Sequence, residues 1–305
     1  MSKRLLIHIG YHKTATTWMQ RLLFMPAHGY HPLANHDQVF EHITAPHGLC
    51  FDPKPMQRLI AEGLKTVPAT AVPVISSELL CGNPFFGGRE NEVYAQHLKA
   101  IAPDARILIS IRAQLQALPS IYMQYLSRGG TMSCQRFFEA PIARGYFGFD
   151  PAHFEYDRLV AHYQALFGVD SVYILPQEKI KVDMEAAAQE LAQFSDNENY
   201  HGLSREAHQI RMASYPEHAA PFLRRANHIQ RSVLVPNPIF SVGETPGGLY
   251  RALGYMLKAP VLARRLKTYQ PVSQYVQTRF MGHYADSNAR LSVLAGGALD
   301  LSKYG

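Results

Sequence analysis

The sequence alternates short, continuous apolar runs with longer stretches of helical periodicity. The apolar runs are compact and rich in β-branched residues, which is typical of strands buried on both faces of a parallel sheet. They occupy residues 5–9, 72–78, 105–111 and 171–175. Helical patterns lie at residues 91–102, 114–127, 154–167 and 183–194. Strands that alternate with helices in this way predict right-handed crossovers, and therefore a three-layer αβα fold around a central parallel sheet.

Two parts of the chain lack this alternation. Residues 26–71 are rich in His, Pro and small side chains, and we expect loops and short helices there. Beyond residue 200 the strand pattern disappears, and helical patterns are interrupted by prolines. These patterns cover residues 215–231, 248–258, 259–268 and 286–295. We predict a single domain over residues 1–305, with an α/β core at about 1–200 and a helical C-terminal extension at about 201–305.

Composition and charge restrict the class of protein. Of the 305 residues, 47% are hydrophobic and 18% are charged, which is ordinary for a soluble globular protein. The formal net charge of +6 suits an anionic ligand. There is no block of Lys and Arg and no nucleic-acid-binding motif, so we expect no nucleic-acid partner. The three cysteines, Cys50, Cys81 and Cys134, have no metal-ligand spacing and are expected to be reduced thiols.

No stretch of the sequence predicts export or a membrane span. The apolar run near the N-terminus is about five residues long, too short for a signal peptide or a spanning helix. We therefore expect a cytoplasmic protein without a transmembrane segment, and contact with a membrane surface stays open. The sequence carries no signal for an oligomeric state.

The first strand is followed by residues suited to binding an anion. Gly10 closes the strand, and Lys13 and three threonines lie between it and an apolar helical face over residues 18–25. Free backbone N–H groups at a helix start and a lysine both attract negative charge. In the alternative interpretation, Thr16 or Thr17 merely caps the helix. That alternative explains one threonine but not the lysine beside them, so we favour the anion site.

Chemically active side chains follow three of the predicted strands, at Lys13-Thr14, Glu78 and Arg112. The carboxyl ends of parallel strands share one edge of a sheet, so we expect these residues to converge on one crevice. Arg112 and Ser120, eight positions apart, are suited to hold a phosphate together, although Arg112 alone equally suits a structural ion pair. Glu78 suits a general base, a metal ligand or a solvated carboxylate.

The loop before the first helix does not match the Walker A pattern of ordinary nucleotidases. That pattern requires a second glycine directly before the lysine, to let the backbone wrap a phosphate. Here Gly10 precedes Lys13 by only three positions, and His12 stands where the second glycine would be. Ordinary ATP or GTP hydrolysis is therefore disfavoured.

These residues resemble those of a known family. Residues 8–17, His-Ile-Gly-Tyr-His-Lys-Thr-Ala-Thr-Thr, resemble the 5'-phosphosulfate-binding loop of sulfotransferases that use 3'-phosphoadenosine 5'-phosphosulfate (PAPS). Arg112 with Ser120 is similar to the pair that binds the 3'-phosphate, and Glu78 to the strand-end glutamate of bacterial and heparan-type members. The chain departs from the family at residues 113–114, where Ala-Gln replaces a frequent Asp-Pro.

The resemblance implies a P-loop-like sulfotransferase fold of the bacterial type and assigns roles to named residues. Glu78 would be the base, with His12 as the second choice, and Lys13 would stabilise the leaving phosphate. The cofactor-binding residues that it implies are Gly10, Lys13, Thr14, Ala15, Thr16, Thr17, Arg112 and Ser120.

The implied reaction moves a sulfuryl group in line from PAPS to a hydroxyl or amine of a carbohydrate, glycolipid or small-molecule acceptor. The product would be adenosine 3',5'-bisphosphate (PAP), and no metal would be required. Two other functions stay open from the residues alone. One is an atypical P-loop kinase that uses Mg-ATP, with Glu78 holding the metal ion. The other is a non-catalytic nucleotide- or glycan-binding protein on the same fold.

Overall fold

The protein is built around a five-stranded parallel sheet with the strand order β2-β3-β1-β4-β5. The computed structural model describes residues 4–139, 144–209, 215–238, 240–259, 266, 268–297 and 299–304. The strands are β1 Leu6–His8, β2 Tyr30–Ala34, β3 Val72–Ser76, β4 Arg106–Ile111 and β5 Val172–Pro176. The predicted parallel sheet is confirmed, and the four apolar runs form its central and far strands.

Strand β2 contradicts the expectation of loops and short helices over residues 26–71. It lies at the edge of the sheet and pairs only with β3, with a register shift between Pro32 and Ala34. A proline is tolerated in such an edge strand because one side of the strand needs no N–H donor. Tyr30 is the only fully buried residue of β2, so no continuous apolar run marks it in the sequence.

The α-helices pack on both faces of the sheet, and short 3-10 and π-helical turns join several of them. The α-helices are α1 Thr16–Trp18, α2 His36–Val39, α3 Lys54–Leu64, α4 Asn91–Ile101, α5 Gln114–Ser127, α6 Cys134–Phe138, α7 Tyr156–Phe167, α8 Gln177–Val182, α9 Met184–Phe194, α10 Ala220–Asn227, α11 Gly248–Leu257, α12 Pro271–Phe280 and α13 Ala285–Leu294. The 3-10 turns are Pro26–His28, Gly48–Cys50, Glu78–Cys81, Pro84–Phe86, Pro151–Phe154, Val169–Ser171 and Glu217–Ala219, and the π-helical turns are Met19–Leu23 and Phe40–Thr44. None of the helices in the described ranges is long and apolar enough to cross a membrane.

The predicted helices α4, α5, α7 and α9 are confirmed, and α3 lies within residues 26–71, where short helices were expected. Helix α12 was not expected. Pro271, one of the prolines expected to interrupt the helical pattern, is instead the first residue of α12, where its missing N–H costs no hydrogen bond. The helix expected at residues 259–268 lies almost wholly outside the described residues. Most of the apolar face expected over residues 18–25 is present, because Trp18, Met19 and Leu23 are buried in one core cluster. The helix changes to a π-helical turn at Met19, and Met25, which follows that turn, is exposed.

Alternate residues of each central strand face opposite sides of the sheet. Ile7 and Ile109 lie in a core cluster with α3, α4, α5 and α7, whereas Leu6 and Leu108 lie in a second cluster with α1, α8 and α9. Helices of the C-terminal region, such as α12 and α13, pack on α5 and α7 within the first cluster. The three-layer αβα architecture is thereby confirmed.

Candidate active site

The loop between β1 and α1 has a strained backbone. Lys13 has φ 68° and Ala15 has φ 67°, both in the left-handed region that side chains disfavour. A residue in this conformation lowers the stability of the folded state by about 1–2 kcal/mol, and such strain is typically found at functional sites. Ala15 is the N-cap of α1 and no side chain caps the helix, so the interpretation of Thr16 or Thr17 as a cap is wrong.

A buried chain of hydrogen bonds fixes this loop to the three central strands. His8 Nδ1 lies 2.7 Å from Ser76 Oγ on β3, and His8 Nε2 lies 2.9 Å from Ser110 Oγ on β4. Ser110 Oγ lies 2.7 Å from Thr14 Oγ1, which donates to the carbonyl oxygen of Tyr11 at 2.5 Å. His8, Ser76 and Ser110 are brought together because they lie on the same face of neighbouring strands, at their carboxyl ends.

The direction of these hydrogen bonds follows from the number of protons available. A carbonyl only accepts, so the Thr14 hydroxyl proton is used on Tyr11, and Ser110 must donate to Thr14. Ser110 then accepts from His8 Nε2–H, and Ser76 donates to His8 Nδ1. This assignment requires a neutral imidazole, and burial lowers the pKa of His8 to about 4, with a smaller opposing effect of Glu78.

Gly10 is required by crowding within this chain and not by an unusual backbone angle. A Cβ atom at Gly10 would lie 2.0 Å from Ser110 Oγ and 2.4 Å from His8 Nε2. The glycine therefore lets the strand end approach the buried hydrogen bonds that position the loop.

A cavity of about 420 Å³ lies beside the loop, and all three candidate catalytic residues, His12, Lys13 and Glu78, line it. Burial lowers the pKa of Lys13, and the nearby Arg112 lowers it further. A partly buried lysine and a carboxylate that line the same cavity are suited to bind an anion next to a proton acceptor. The cavity is lined by His12, Lys13, Ala15, Thr16, Thr17, Glu78, Gln124, Ser127, Arg128 and Pro246.

Glu78 is held in its ionised form. Burial raises the pKa of its carboxyl, but a hydrogen bond from Gln20 Nε2 at 2.9 Å, a backbone hydrogen bond and the nearby His12 and His36 together lower it below the ordinary value. Glu78 is therefore able to accept a proton near neutral pH. Burial also lowers the pKa of His12 to about 4, so its imidazole is neutral, with Nδ1 3.5 Å from the Sγ atom of Cys81.

Arg112 and Ser120 form a pair on the other side of the loop. Arg112 Nη1 donates to Ser120 Oγ at 3.1 Å and to the carbonyl oxygen of Lys13 at 3.4 Å. Burial lowers the pKa of Arg112, and Glu178 opposes that effect. The buried Nε atom of Arg112 has no hydrogen-bond partner among the described residues. The structure thus places this pair next to the loop, but not in the lining of the cavity that contains Glu78.

The part of the cavity that α5 contributes was not predicted from the sequence. Gln124, Ser127 and Arg128 line it, and they follow Ser120 at helical spacing. Polar residues at positions i, i+4, i+7 and i+8 of an otherwise apolar helix share one face. That spacing could have indicated a polar face on α5. Gln20 gives no comparable signal, because its contact with Glu78 joins residues that are 58 positions apart.

Among the described residues, no group of three or more His, Cys, Asp and Glu side chains is arranged to hold a metal ion.

Comparison with known proteins identifies the fold. No protein-family model and no curated protein sequence matches the chain. A crystal structure of a sulfotransferase from Alicyclobacillus acidocaldarius is similar, with 20% sequence identity and a TM-score of 0.50, over 75% of this chain and 91% of that one. The mouse sulfotransferase SULT7A1 complexed with PAP aligns with 12% identity and a TM-score of 0.39, over 90% of this chain and 88% of that one. The first of these likenesses confirms the predicted sulfotransferase fold.

Proposed function

We propose that the protein is a sulfotransferase that uses PAPS as the sulfuryl donor. The observation that carries this proposal is the single cavity that Lys13 and Glu78 line together, beside a strained loop. In this proposal the cation is for the leaving phosphate and the ionised carboxylate is for the acceptor's proton. The fold shared with a bacterial sulfotransferase supports the same reaction class.

The residues present fit a cofactor with two separate anionic ends. Lys13, with Thr16 and Thr17 beside it, would hold the 5'-phosphosulfate. Arg112 and Ser120 would hold the 3'-phosphate. The buried Nε of Arg112 has no partner within the described ranges, and this supports the role because a buried charged donor without a partner is unfavourable. The contact of 3.4 Å between Arg112 Nη1 and the Lys13 carbonyl oxygen joins the two halves of the site.

Each residue has a distinct task in the transfer. When bound, PAPS would supply a sulfuryl group whose bond to the 5'-phosphate oxygen breaks as the bond to the acceptor oxygen forms. Glu78 takes the acceptor's proton, and Gln20 keeps the carboxylate ionised and oriented. Lys13 counters the charge that develops on the departing phosphate. In this proposal Lys13 and Arg112 supply the positive charge, and no metal ion is needed.

Calorimetric titration tests the cofactor. We expect PAP to bind in the absence of Mg²⁺, and Arg112→Ala to weaken PAP more than adenosine 5'-monophosphate, because only PAP carries the 3'-phosphate. Tight binding of Mg-ATP with no binding of PAP would refute the proposal and favour the kinase.

Transfer of a labelled sulfuryl group from PAPS to a panel of hydroxyl and amine acceptors tests the enzyme. Glu78→Gln should keep PAP binding and lose transfer, because the amide cannot take the proton. The exposed Glu41 provides the matched control, and Glu41→Gln should leave both unchanged. PAP binding without transfer to any acceptor would instead favour a non-catalytic binding protein.

A further inference from the structure

The peptide group that joins Arg112 to Ala113 is held from both sides by buried side chains. The Tyr156 hydroxyl donates to the carbonyl oxygen of Arg112 at 2.7 Å, and the N–H of Ala113 donates to Glu178 Oε1 at 3.2 Å. Tyr156, Ala113 and Glu178 are all buried. Because both polar atoms of this peptide group are bound, it cannot turn without breaking a buried hydrogen bond.

The other oxygen of Glu178 accepts a hydrogen bond from Tyr304. The Tyr304 hydroxyl lies 2.9 Å from Glu178 Oε2, and Tyr304 is buried. Burial raises the pKa of Tyr304 and the nearby Glu178 raises it further, so the hydroxyl keeps its proton and donates it. Each oxygen of Glu178 therefore has its own donor, and the side chain is fixed by two contacts.

Further hydrogen bonds lead from Tyr304 back to the start of α5. Asn288 Nδ2 donates to the carbonyl oxygen of Tyr304 at 2.5 Å, and Gln114 Nε2 donates to Asn288 Oδ1 at 2.9 Å. Gln114 is the first residue of α5 and follows Ala113 directly. The contacts thus form a closed cycle that joins α5, α8, α13 and the segment after α13. We name its members, Ala113, Gln114, Glu178, Asn288 and Tyr304, the Glu178 clamp.

The clamp acts on the backbone from which Arg112 extends. None of its residues lines the cavity that contains Lys13 and Glu78. The Arg112 guanidinium is bound through Nη1, to Ser120 and to the Lys13 carbonyl oxygen, and its Nε has no partner among the described residues. A planar guanidinium binds a phosphate well only in one orientation, and the position of its backbone sets that orientation.

We propose that Glu178 and Tyr304 are positioning residues for the 3'-phosphate of the cofactor, because they fix the backbone of Arg112. This inference rests on the proposed function, in which Arg112 and Ser120 hold that phosphate. Charge alone gives no reason for a carboxylate here, since Glu178 lies close enough to Arg112 to affect it and would repel a phosphate. Its contact with the N–H of Ala113 supplies the reason.

Calorimetric titration of the full-length protein with PAP and with adenosine 5'-monophosphate tests the proposal, because only PAP carries the 3'-phosphate. Tyr304→Phe keeps the aromatic ring and removes the contact with Glu178. We expect the preference for PAP over adenosine 5'-monophosphate to fall about tenfold, which corresponds to the loss of one charge-assisted hydrogen bond.

Tyr30→Phe is the matched control for Tyr304→Phe. Tyr30 is also buried and its hydroxyl also has a partner, because it lies 3.3 Å from Ser195 Oγ. Tyr30 belongs to the second core cluster, however, whereas Tyr304 belongs to the first. The control therefore removes a comparable hydroxyl away from the clamp, and the preference for PAP should stay unchanged.

Glu178→Gln separates positioning from charge. The amide has one oxygen, so it cannot accept from both Ala113 and Tyr304. An effect of charge alone would tighten PAP relative to adenosine 5'-monophosphate, because a negative charge near the phosphate is removed. Positioning predicts the opposite, a fall in the preference by about tenfold or more. If Glu178→Gln does not fold, Tyr304→Phe decides alone, since it removes a single oxygen atom.

The outcomes separate this inference from the proposed function. A lower preference for PAP in Tyr304→Phe and Glu178→Gln, but not in Tyr30→Phe, supports the clamp. An unchanged preference in Tyr304→Phe, a higher one in Glu178→Gln or an equal loss in the control would overturn it, even though PAP binds the unaltered protein. If the unaltered protein binds PAP no more tightly than adenosine 5'-monophosphate, the proposed 3'-phosphate site is refuted, and the positioning role with it.

Discussion

Replacing Ser110 with alanine should show how strongly the buried hydrogen bonds hold the loop. The Ser110 hydroxyl accepts from His8 Nε2 at 2.9 Å and donates to Thr14 Oγ1 at 2.7 Å, and all three residues are buried. Ser110→Ala removes both contacts and adds no atom. Because Ser110 connects the strands to the loop, the change acts on loop position and on stability together.

The magnitude follows from the groups that are left without a partner. The imidazole cannot escape by changing its tautomer, because either form leaves one ring nitrogen of His8 unpaired. An unsatisfied buried polar group costs about 1–3 kcal/mol, and the lost hydrogen bond to Thr14 adds about 1 kcal/mol. We therefore expect the free energy of unfolding to fall by about 2–4 kcal/mol.

Urea unfolding followed by circular dichroism measures this loss, and Ser76→Ala is the comparison. Ser76 bonds the other ring nitrogen of His8 at 2.7 Å but is only half-buried, so water can replace its hydroxyl and the loss should stay below about 1 kcal/mol. PAP titration of Ser110→Ala should show weaker binding, because Thr14 is no longer tied to β4. A loss below about 0.5 kcal/mol, or equal losses in the two variants, would refute the reasoning.

Three further predictions concern protonation, crowding and the base. Burial lowers the pKa of His8 from 6.5 to about 4, so between these pH values the unfolded chain binds more protons at His8 than the folded chain. The contribution of His8 to the free energy of unfolding, about 3 kcal/mol, is therefore complete above pH 6.5 and is lost as the pH falls from 6.5 to 4. Urea unfolding midpoints measured across that pH range test this loss. Gly10→Ala should reduce the free energy of unfolding by about 1–3 kcal/mol, because the new Cβ would lie 2.4 Å from His8 Nε2. In the control Gly48→Ala the new Cβ meets only an ordinary contact, so the free energy of unfolding should change by less than about 0.5 kcal/mol. Gln20→Ala should raise the pKa of Glu78 and shift the acidic limb of the pH profile of sulfuryl transfer to higher pH.

Each of these predictions has an outcome that contradicts it. Stability that stays constant between pH 6.5 and 4 would show that His8 is not held neutral in the fold. Equal losses in the two glycine variants would remove the argument from crowding. An unchanged acidic limb in Gln20→Ala, with unchanged folding, would show that Glu78 does not set the pH dependence.

The sequence by itself determined four of the five strands, the loop and the residue types of the site. Apolar runs such as residues 105–111 are local patterns, and strands buried on both faces need nothing else to be recognised. Lys13 and the strand-end Glu78 could be assigned to one crevice because parallel strands end at a common edge. Their binding and catalytic roles remain predictions, as does the single-domain organisation.

Only the tertiary structure decided which distant residues touch. Strand β2 has no apolar run of its own and exists because β3 offers it an edge to pair with. The contacts among His8, Ser76 and Ser110 depend on strand order and register, which no local pattern encodes. The cavity beside the loop likewise joins segments as far apart as His12 and Pro246. Local periodicity reflects burial along one helix or strand, whereas a site depends on the packing of several helices and strands. The shape of the candidate site was therefore decided only by the tertiary structure.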